Sequence, residues 1–245
     1  MALYVGTSGW SYKEWQAKPG TPDNPGEPAF YPAGVPRTRF LEHYATQLPA
    51  VEVNATFYRV QSETTVDKWR DFTSDGFRFA AKAHYLLTHR KQMTWGADQK
   101  EFLHDYLKSI GRLEDRLGPV LLQHPPHRER DDDALDEVLD ALPSGPTFVF
   151  EFRNETWAQS AVEERLATAG AGLCVSDTTG EVPRRLPAGA VGYVRLRAER
   201  YSEKARAGWL DLLAGEAQER DVYAFTKHKD IDPADEYGGI GLARW

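Results

Sequence analysis

At 245 residues the chain exceeds the ~150 that serve as a soft guide for one domain, yet it fits the roughly 250 of a single α/β barrel. Its one cysteine, Cys174, excludes an internal disulfide scaffold, and within Leu173-Cys174-Val175 it reads as a small buried hydrophobe rather than a nucleophile. A net charge of -7 argues against whole-surface binding to nucleic acid or an anionic membrane, and neither a basic leader nor ~18 consecutive apolar residues is present, so a cytoplasmic protein with no membrane partner is expected.

Short β-like runs begin near Leu3, Val51, Phe77, Val120, Thr147, Gly172, Val191 and Val222, with helical or turn-rich segments between most of them. This βα rhythm predicts an α/β fold, a single (β/α)8 TIM barrel over 1–245, ahead of a doubly wound sheet. After the first run, 16–36 holds six prolines and three glycines without a period, which predicts an irregular loop at the barrel mouth. Apolar residues from Phe102 to Leu117 and from Leu135 to Leu142 recur at helical spacing and predict two amphipathic helices. Asp131-Asp132-Asp133 directly before the second reads as an N-terminal cap, not a metal site. Pro183 to Gly189 is too short for a helix, and the glycine-rich end from Asp232 predicts a last helix that is short, irregular or absent.

Strands covered on both faces should be almost continuously apolar, so polar residues at every second position mark a face that is not simply core. In Val51-Glu52-Val53-Asn54-Ala55-Thr56 the polar residues share one face. In Phe148-Val149-Phe150-Glu151-Phe152-Arg153 the phenylalanines take one face, to meet helices, and Glu151 and Arg153 the other. Arg78 and Lys82 are in phase, as are Arg195 and Arg197, while Ser8, Gln123 and Asp177 close their strands. The pattern places Glu52, Glu151 and Asp177 with Lys82, Arg153 and Arg195 inside the barrel at the strand C-termini, the end that carries TIM-barrel active sites. A buried ion-pair network serving only packing is the competing reading, and Arg78, four residues below Lys82, is assigned to the floor.

The mouth is cationic although the whole chain is acidic. His84, His89, Arg90 and Lys91 follow the third strand, Arg195, Arg197, Arg200, Lys204 and Arg206 the seventh, and Lys227, His228 and Lys229 the eighth, so a small anionic or phosphorylated ligand is expected. Trp10, Tyr12, Trp15, Phe57, Tyr58, Trp95 and Trp157 cluster near the same end, where they either stack on a base or sugar or anchor loops. Gly6-Thr7-Ser8-Gly9 lacks the lysine of a phosphate-binding loop, and no G-x-S-x-G, C-x-x-C or H-E-x-x-H occurs. No cofactor or metal is implied by these patterns. The one mixed metal set conceivable, His84 or His89 with Glu151 and Asp177, would face repulsion from Lys82 and Arg153.

Gly6-Thr7-Ser8-Gly9-Trp10-Ser11-Tyr12 with Trp15 and Phe30-Tyr31-Pro32, then 51–58, Lys82, Thr88-His89, Leu122-Gln123-His124-Pro125-Pro126, Glu151-Phe152-Arg153 with Trp157, Asp177 and Tyr193-Val194-Arg195-Leu196 together resemble the YecE-like family, a domain of unknown function. The resemblance implies a TIM barrel with a polar pocket at the strand C-termini, an unassigned activity and a shape comparable to barrel nucleases such as endonuclease IV. The chain departs from that pattern by an insertion between Trp15 and Phe30, by Arg197-Ala198 in place of His-Gly, and by Thr226-Lys227-His228 in place of Asn-Asn-Asp. These changes add positive charge to the mouth.

Three functions fit. The leading one is a metal-independent hydrolase or lyase acting on a phosphate-bearing substrate, with Glu151 or Asp177 as general base, Glu52 orienting, and Lys82, Arg153 and Arg195 stabilising developing negative charge, within a binding wall of Ser8, Trp10, Asn54, Tyr58, His89, Gln123 and Trp157. The second is a non-catalytic binder of single-stranded nucleic acid or nucleotides. The third is a metal-dependent phosphodiesterase.

Overall fold

In a computed structural model of the chain, which describes residues 1–17, 29–228 and 239–244, nine parallel strands form one nearly closed sheet surrounded by helices. The strands are β1 (Leu3–Ser8), β2 (Ala50–Val53), β3 (Arg78–Lys82), β4 (Leu117–Gln123), β5 (Phe148–Glu151), β6 (Gly172–Leu173), β7 (Val175–Asp177), β8 (Gly192–Leu196) and β9 (Val222–Thr226), in the order β6-β5-β4-β3-β2-β1-β9-β8-β7. The helices are α1 (Phe40–Ala45), α2 (Ala55–Tyr58), α3 (Glu63–Asp71), α4 (Tyr85–Thr88), α5 (Ala97–Ile110), α6 (Asp132–Asp140), α7 (Ser160–Thr168), α8 (Glu203–Glu216) and α9 (Gly239–Arg244). None of the helices among the described residues is long and apolar enough to cross a membrane.

The expected eight strands become nine because the run from Gly172 divides at Cys174. β6 pairs with β5 and β7 with β8, and the Cys174 amide donates to the Phe150 carbonyl at 2.8 Å. The two ends of the sheet order are therefore consecutive in the chain, and the one-residue break lets the segment turn its hydrogen bonds from one neighbour to the other. Cys174 itself is buried, and burial pushes its thiol well above the ordinary range.

The apolar series from Phe102 to Leu117 overstates its helix. α5 stops at Ile110, a 3-10 segment follows over Gly111–Arg116 with Glu114 at φ 55°, and Leu117 opens β4. Leu113 continued the helical spacing because it too is buried. Asp131 does cap α6, its Oδ1 accepting from the Ala134 amide at 2.9 Å, and Ser62 and Ser202 cap α3 and α8 in the same way. No helix lies between β7 and β8, and α9 is six residues long. The expected loop over 16–36 falls largely outside the described residues; at its edges Gln16 bridges to Tyr31, and Phe30 and Tyr31 are buried.

Strand alternation sorts the core into layers. Val51, Val53, Phe79, Val120, Leu122, Phe148, Phe150, Val194, Leu196, Val222 and Ala224 join clusters with helix residues such as Trp69, Leu103, Tyr106, Leu135, Val162 and Trp209. Each fully buried side chain of this kind contributes ~1.5–3 kcal/mol by leaving water. The alternate residues Ala50, Ala80, Leu121, Val149, Cys174, Tyr193, Tyr223 and Phe225 form a separate cluster inside the barrel, its floor. Arg78 stays at that lower end, its Nη1 donating to the carbonyls of Asp75 and Phe77 and its guanidinium lying 5.4 Å from the Tyr4 ring centroid.

Candidate functional site

Each residue two positions beyond the floor reaches the upper interior. Glu52 follows Ala50, Lys82 follows Ala80, Gln123 follows Leu121, Glu151 follows Val149, Ser176 follows Cys174, Arg195 follows Tyr193 and Lys227 follows Phe225. The two-residue side-chain period thus stacks a polar layer on an apolar plug. Among the described residues this layer opens into a cavity of about 610 Å³ lined by Ser8, Tyr12, Asn54, Lys82, Gln123, Glu151, Phe152, Arg153, Ser176, Thr178, Arg195, Arg197, Lys227 and His228.

At the base of the cavity, Arg195 links two carboxylates from different strands. Its Nη2 donates to Glu52 Oε1 at 2.7 Å and its Nη1 to Glu151 Oε2 at 2.6 Å, and the three side chains are 2%, 0% and 3% exposed respectively. Glu52 also accepts from Ser8 Oγ and from the Tyr193 hydroxyl, both at 2.8 Å, so its oxygens are fully engaged. Burial alone would push the Glu52 carboxyl up, but Arg195 and Arg197, with the Arg195 and Tyr193 hydrogen bonds, hold it below the usual range. Burial and the Glu52 charge in turn raise the Tyr193 phenol well above its ordinary value, keeping it a donor. Glu151 Oε2 accepts a second bond from Gln123 Nε2 at 2.8 Å, which leaves Oε1 without a hydrogen bond among the described residues.

Lys82 stands beside this network rather than in it. Its Nζ lies 3.9 Å from the Phe57 ring centroid, and no carboxylate among the described residues lies within ion-pair distance. Burial, then the Arg195 charge, push its amine down to about 8, against the opposing pull of Glu52 and Glu151. Arg197 is likewise depressed by burial and by Arg195, and its buried Nε finds no partner among the described residues. With both carboxylates committed to Arg195, the remaining cationic wall is Lys82, Arg153, Arg197 and Lys227.

Six expected site residues do not line the cavity: Glu52, which lies beneath it in the Arg195 network, and Asp177, Trp157, Trp10, Tyr58 and His89. Asp177 is the main correction: Val175 packs in an outer cluster while Cys174 and Ser176 face inward, so Asp177 falls on the outer phase. Its Oδ1 instead accepts from the Thr179 amide, the Thr179 hydroxyl and the Gly180 amide at 2.9, 3.1 and 2.9 Å, closing a turn. Trp157 is buried, stacks on Phe152 with centroids 4.0 Å apart and donates to the Arg128 carbonyl. Trp10 packs edge-on against Trp69, and Tyr58 is 72% exposed outside the cavity. His89 shares a hydrogen bond with the Thr88 hydroxyl and meets the Phe57 ring. His84, part of the conceivable metal set, caps α4 by accepting from the Leu86 amide. No group of three or more His, Cys, Asp or Glu side chains placed to hold a metal ion occurs among the described residues.

Sequence reasoning missed Ser176, Thr178 and Phe152 on the wall and Tyr193 as a donor to Glu52. The signal was present for three of them: Ser176 and Thr178 continue the phase of buried Cys174, and Tyr193 that of Arg195. Phe152 sits in the outer phase with Phe150, and only its position beyond the end of β5 lets it reach the rim.

The chain matches the family model described as protein of unknown function DUF72 over residues 4–235. It is 27% identical over 169 residues to the UPF0759 protein YecE of Escherichia coli (strain K12), covering 69% of this chain and 54% of that protein. It is 28% identical over 127 residues to the UPF0759 protein YunF of Bacillus subtilis (strain 168), covering 51% of this chain and 40% of that one. The chain thus spans about half the length of the curated relatives it matches. Its fold is similar to the crystal structure of a DUF72 family protein from Thermotoga maritima MSB8, with a TM-score of 0.76 at 22% identity, covering 100% of this chain and 96% of that one. It is also similar to a DUF72 family protein from Enterococcus faecalis V583, with a TM-score of 0.70 at 16% identity, covering 99% of this chain and 95% of that one. At these identities the likeness speaks for the fold alone.

Proposed function

We propose that this chain, which belongs to the DUF72 family of proteins of unknown function, binds a small anionic, phosphate-bearing ligand in its upper cavity and acts on it as a metal-independent hydrolase or lyase. The observation that carries this reading is the charge imbalance of the wall: Glu52 and Glu151 are both consumed by Arg195, while Lys82, Arg153, Arg197 and Lys227 remain for a ligand. A second cation such as a metal ion would be repelled by that set, whereas an anion would offset it. The sequential β6 and β7, each bonded to a different edge, are read as one strand position, so that the architecture is a (β/α)8 barrel in a single domain and the cavity lies at its catalytic end.

In this reading Glu151 is the general base, with Oε2 held by Arg195 and Gln123 and Oε1 left to take a proton. Lys82, Arg153 and Arg197 stabilise negative charge as it develops; losing one such preorganised contact typically costs ~3–4 kcal/mol of barrier. Glu52 acts through Arg195, fixing its position. Of the seven aromatics on which a single-stranded nucleic acid would stack, Tyr12 lines the cavity and Trp10, Trp15, Phe57, Tyr58, Trp95 and Trp157 do not, so the cavity lacks a stacking track for successive bases.

Thermal unfolding in phosphate and in chloride of equal ionic strength tests the reading, because a ligand of the folded state raises Tm by mass action. Phosphate is expected to raise Tm of the wild-type chain and not that of Lys82→Ala. An identical Tm in both salts would remove the anion site.

A further inference from the structure

Resting on the anion-site reading above, we infer that Lys82 is an imine-forming amine, and that the substrates are small carbonyl compounds bearing a carboxylate or phosphate. The placement of Lys82 is what carries this. It closes β3 at the cavity wall, is packed against an aromatic face, and among the described residues is not paired with a carboxylate although two lie in the same layer. A lysine serving only as a structural counter-ion would take one of those carboxylates; here Arg195 takes both, and the Lys82 amine is left to a ligand. Burial and the neighbouring guanidiniums favour the neutral, nucleophilic form, the environment in which lysine amines condense with carbonyls. The cavity of about 610 Å³ holds a metabolite-sized molecule, with Arg153, Arg197 and Lys227 available for its anionic group.

The chemistry balances without an oxidant or reductant. The Nζ lone pair attacks the carbonyl carbon, a C–N bond forms, and the carbonyl electrons move to oxygen, which takes a proton. Nitrogen then loses a proton, the oxygen takes another and leaves as water, and the product is a protonated imine. Glu151 Oε1, free of hydrogen bonds among the described residues, serves as the local proton carrier. The protonated imine accepts the electron pair of the bond between its neighbouring carbon and the next one, giving an enamine, while the departing carbon becomes a carbonyl as its hydroxyl proton passes to Glu151; this selects the lyase arm of the proposed function.

The test is reductive trapping. Wild-type chain is incubated with pyruvate, with dihydroxyacetone phosphate and with uncharged dihydroxyacetone in the presence of cyanoborohydride, and adducts are located by peptide mass mapping. The expected result is a reduced adduct at Lys82, at least tenfold above any other lysine, with one or both anionic probes and not with dihydroxyacetone; pyruvate against dihydroxyacetone phosphate tells carboxylate from phosphate. Lys82→Arg keeps a cation and removes the condensing amine, so it should lose the adduct; if that variant fails to fold, the wild-type peptide map still decides. A phosphate-induced rise in Tm without an adduct at Lys82 would overturn the imine and spare the anion site. Absence of both would overturn both readings, and equal trapping of dihydroxyacetone would overturn the anionic substrate class.

Discussion

Glu52 and Glu151 share one guanidinium, yet their removal should not cost the same. Glu52 is the more deeply buried and accepts from Ser8, Tyr193 and Arg195, so Glu52→Gln forces an amide into a site built from donors. The expected loss is ~3–5 kcal/mol, typical of a broken buried pair. Glu151→Gln removes one of two carboxylates and leaves Arg195 neutralised by Glu52, and Glu151, unlike Glu52, borders the open cavity, where solvent can screen what remains. A loss below ~2 kcal/mol is expected there. Denaturant unfolding of both variants compares them directly, and Glu151→Gln costing as much as Glu52→Gln would return Glu151 to a packing role. Lys82 carries the pH dependence. Its proton is held less tightly in the folded chain, at about 8 against an ordinary 10.5, so the unfolded state binds more protons between those values. The penalty of burying the charged amine is therefore fully present below pH 8, and stability gains from Lys82 as pH rises towards 10.5. The neutral amine also becomes available through the same titration, so the rate of cyanoborohydride trapping at Lys82 should rise with an inflection near pH 8. An inflection near that of a solvated lysine would show that burial does not act on the amine.

At the level of elements, β1 and β2 approach each other closely at Gly6. A Cβ built on Gly6 would lie 1.9 Å from the Ala50 carbonyl oxygen, its register partner across the pair, and backbone cannot yield as a flexible side chain can. Gly6→Ala should cost ~3 kcal/mol or more, at the upper end of overpacking, whereas Gly215→Ala in α8, with nothing within 4 Å of the added carbon, should gain about 0.5 kcal/mol from helix propensity. Thermal unfolding of the two variants distinguishes a local clash from a general intolerance of alanine. The same strands show what could be read from sequence. Alternation in β2, β3, β5 and β8 announced an inward polar layer because a strand's side-chain period is fixed at two, and the ordered motifs along these strands led to the family that the model match bears out. Asp177 was misplaced although its phase was legible: its strand is only three residues long and follows a break, and the buried Cys174 that turns Ser176 inward turns Asp177 outward. The aromatics misled for a different reason. Trp157 and Trp10 follow strand ends, but a large apolar ring gains more from packing under a loop than from lining a wet cavity, and composition near the mouth cannot tell the two apart.

The whole molecule carries a net charge of -7, while Lys82, Arg153, Arg195, Arg197 and Lys227 gather on one cavity wall. Such a distribution selects by size. A small anion enters the cavity, where the local cations act through a partly desolvated interior, whereas a polyanion must also lie across an acidic exterior that repels it. Carboxylates on that exterior include Glu63 and Asp67 near α3, Asp132 and Asp136 on α6, and Glu163 on α7, and several of them are already paired with surface arginines, which further lowers the free positive charge available to a long phosphate chain. A labelled single-stranded oligonucleotide should therefore bind no better than the ~10⁻⁴ M of weak non-specific association at physiological salt, and phosphate should not compete with whatever binding occurs. Fluorescence anisotropy with the oligonucleotide, repeated with added phosphate, gives both readings in one titration. Micromolar binding abolished by phosphate and by Lys82→Ala would mean that the cavity is the end of a longer nucleic-acid track, and the small-ligand reading would fall; weak binding indifferent to both would leave the cavity as a site for a single small anion.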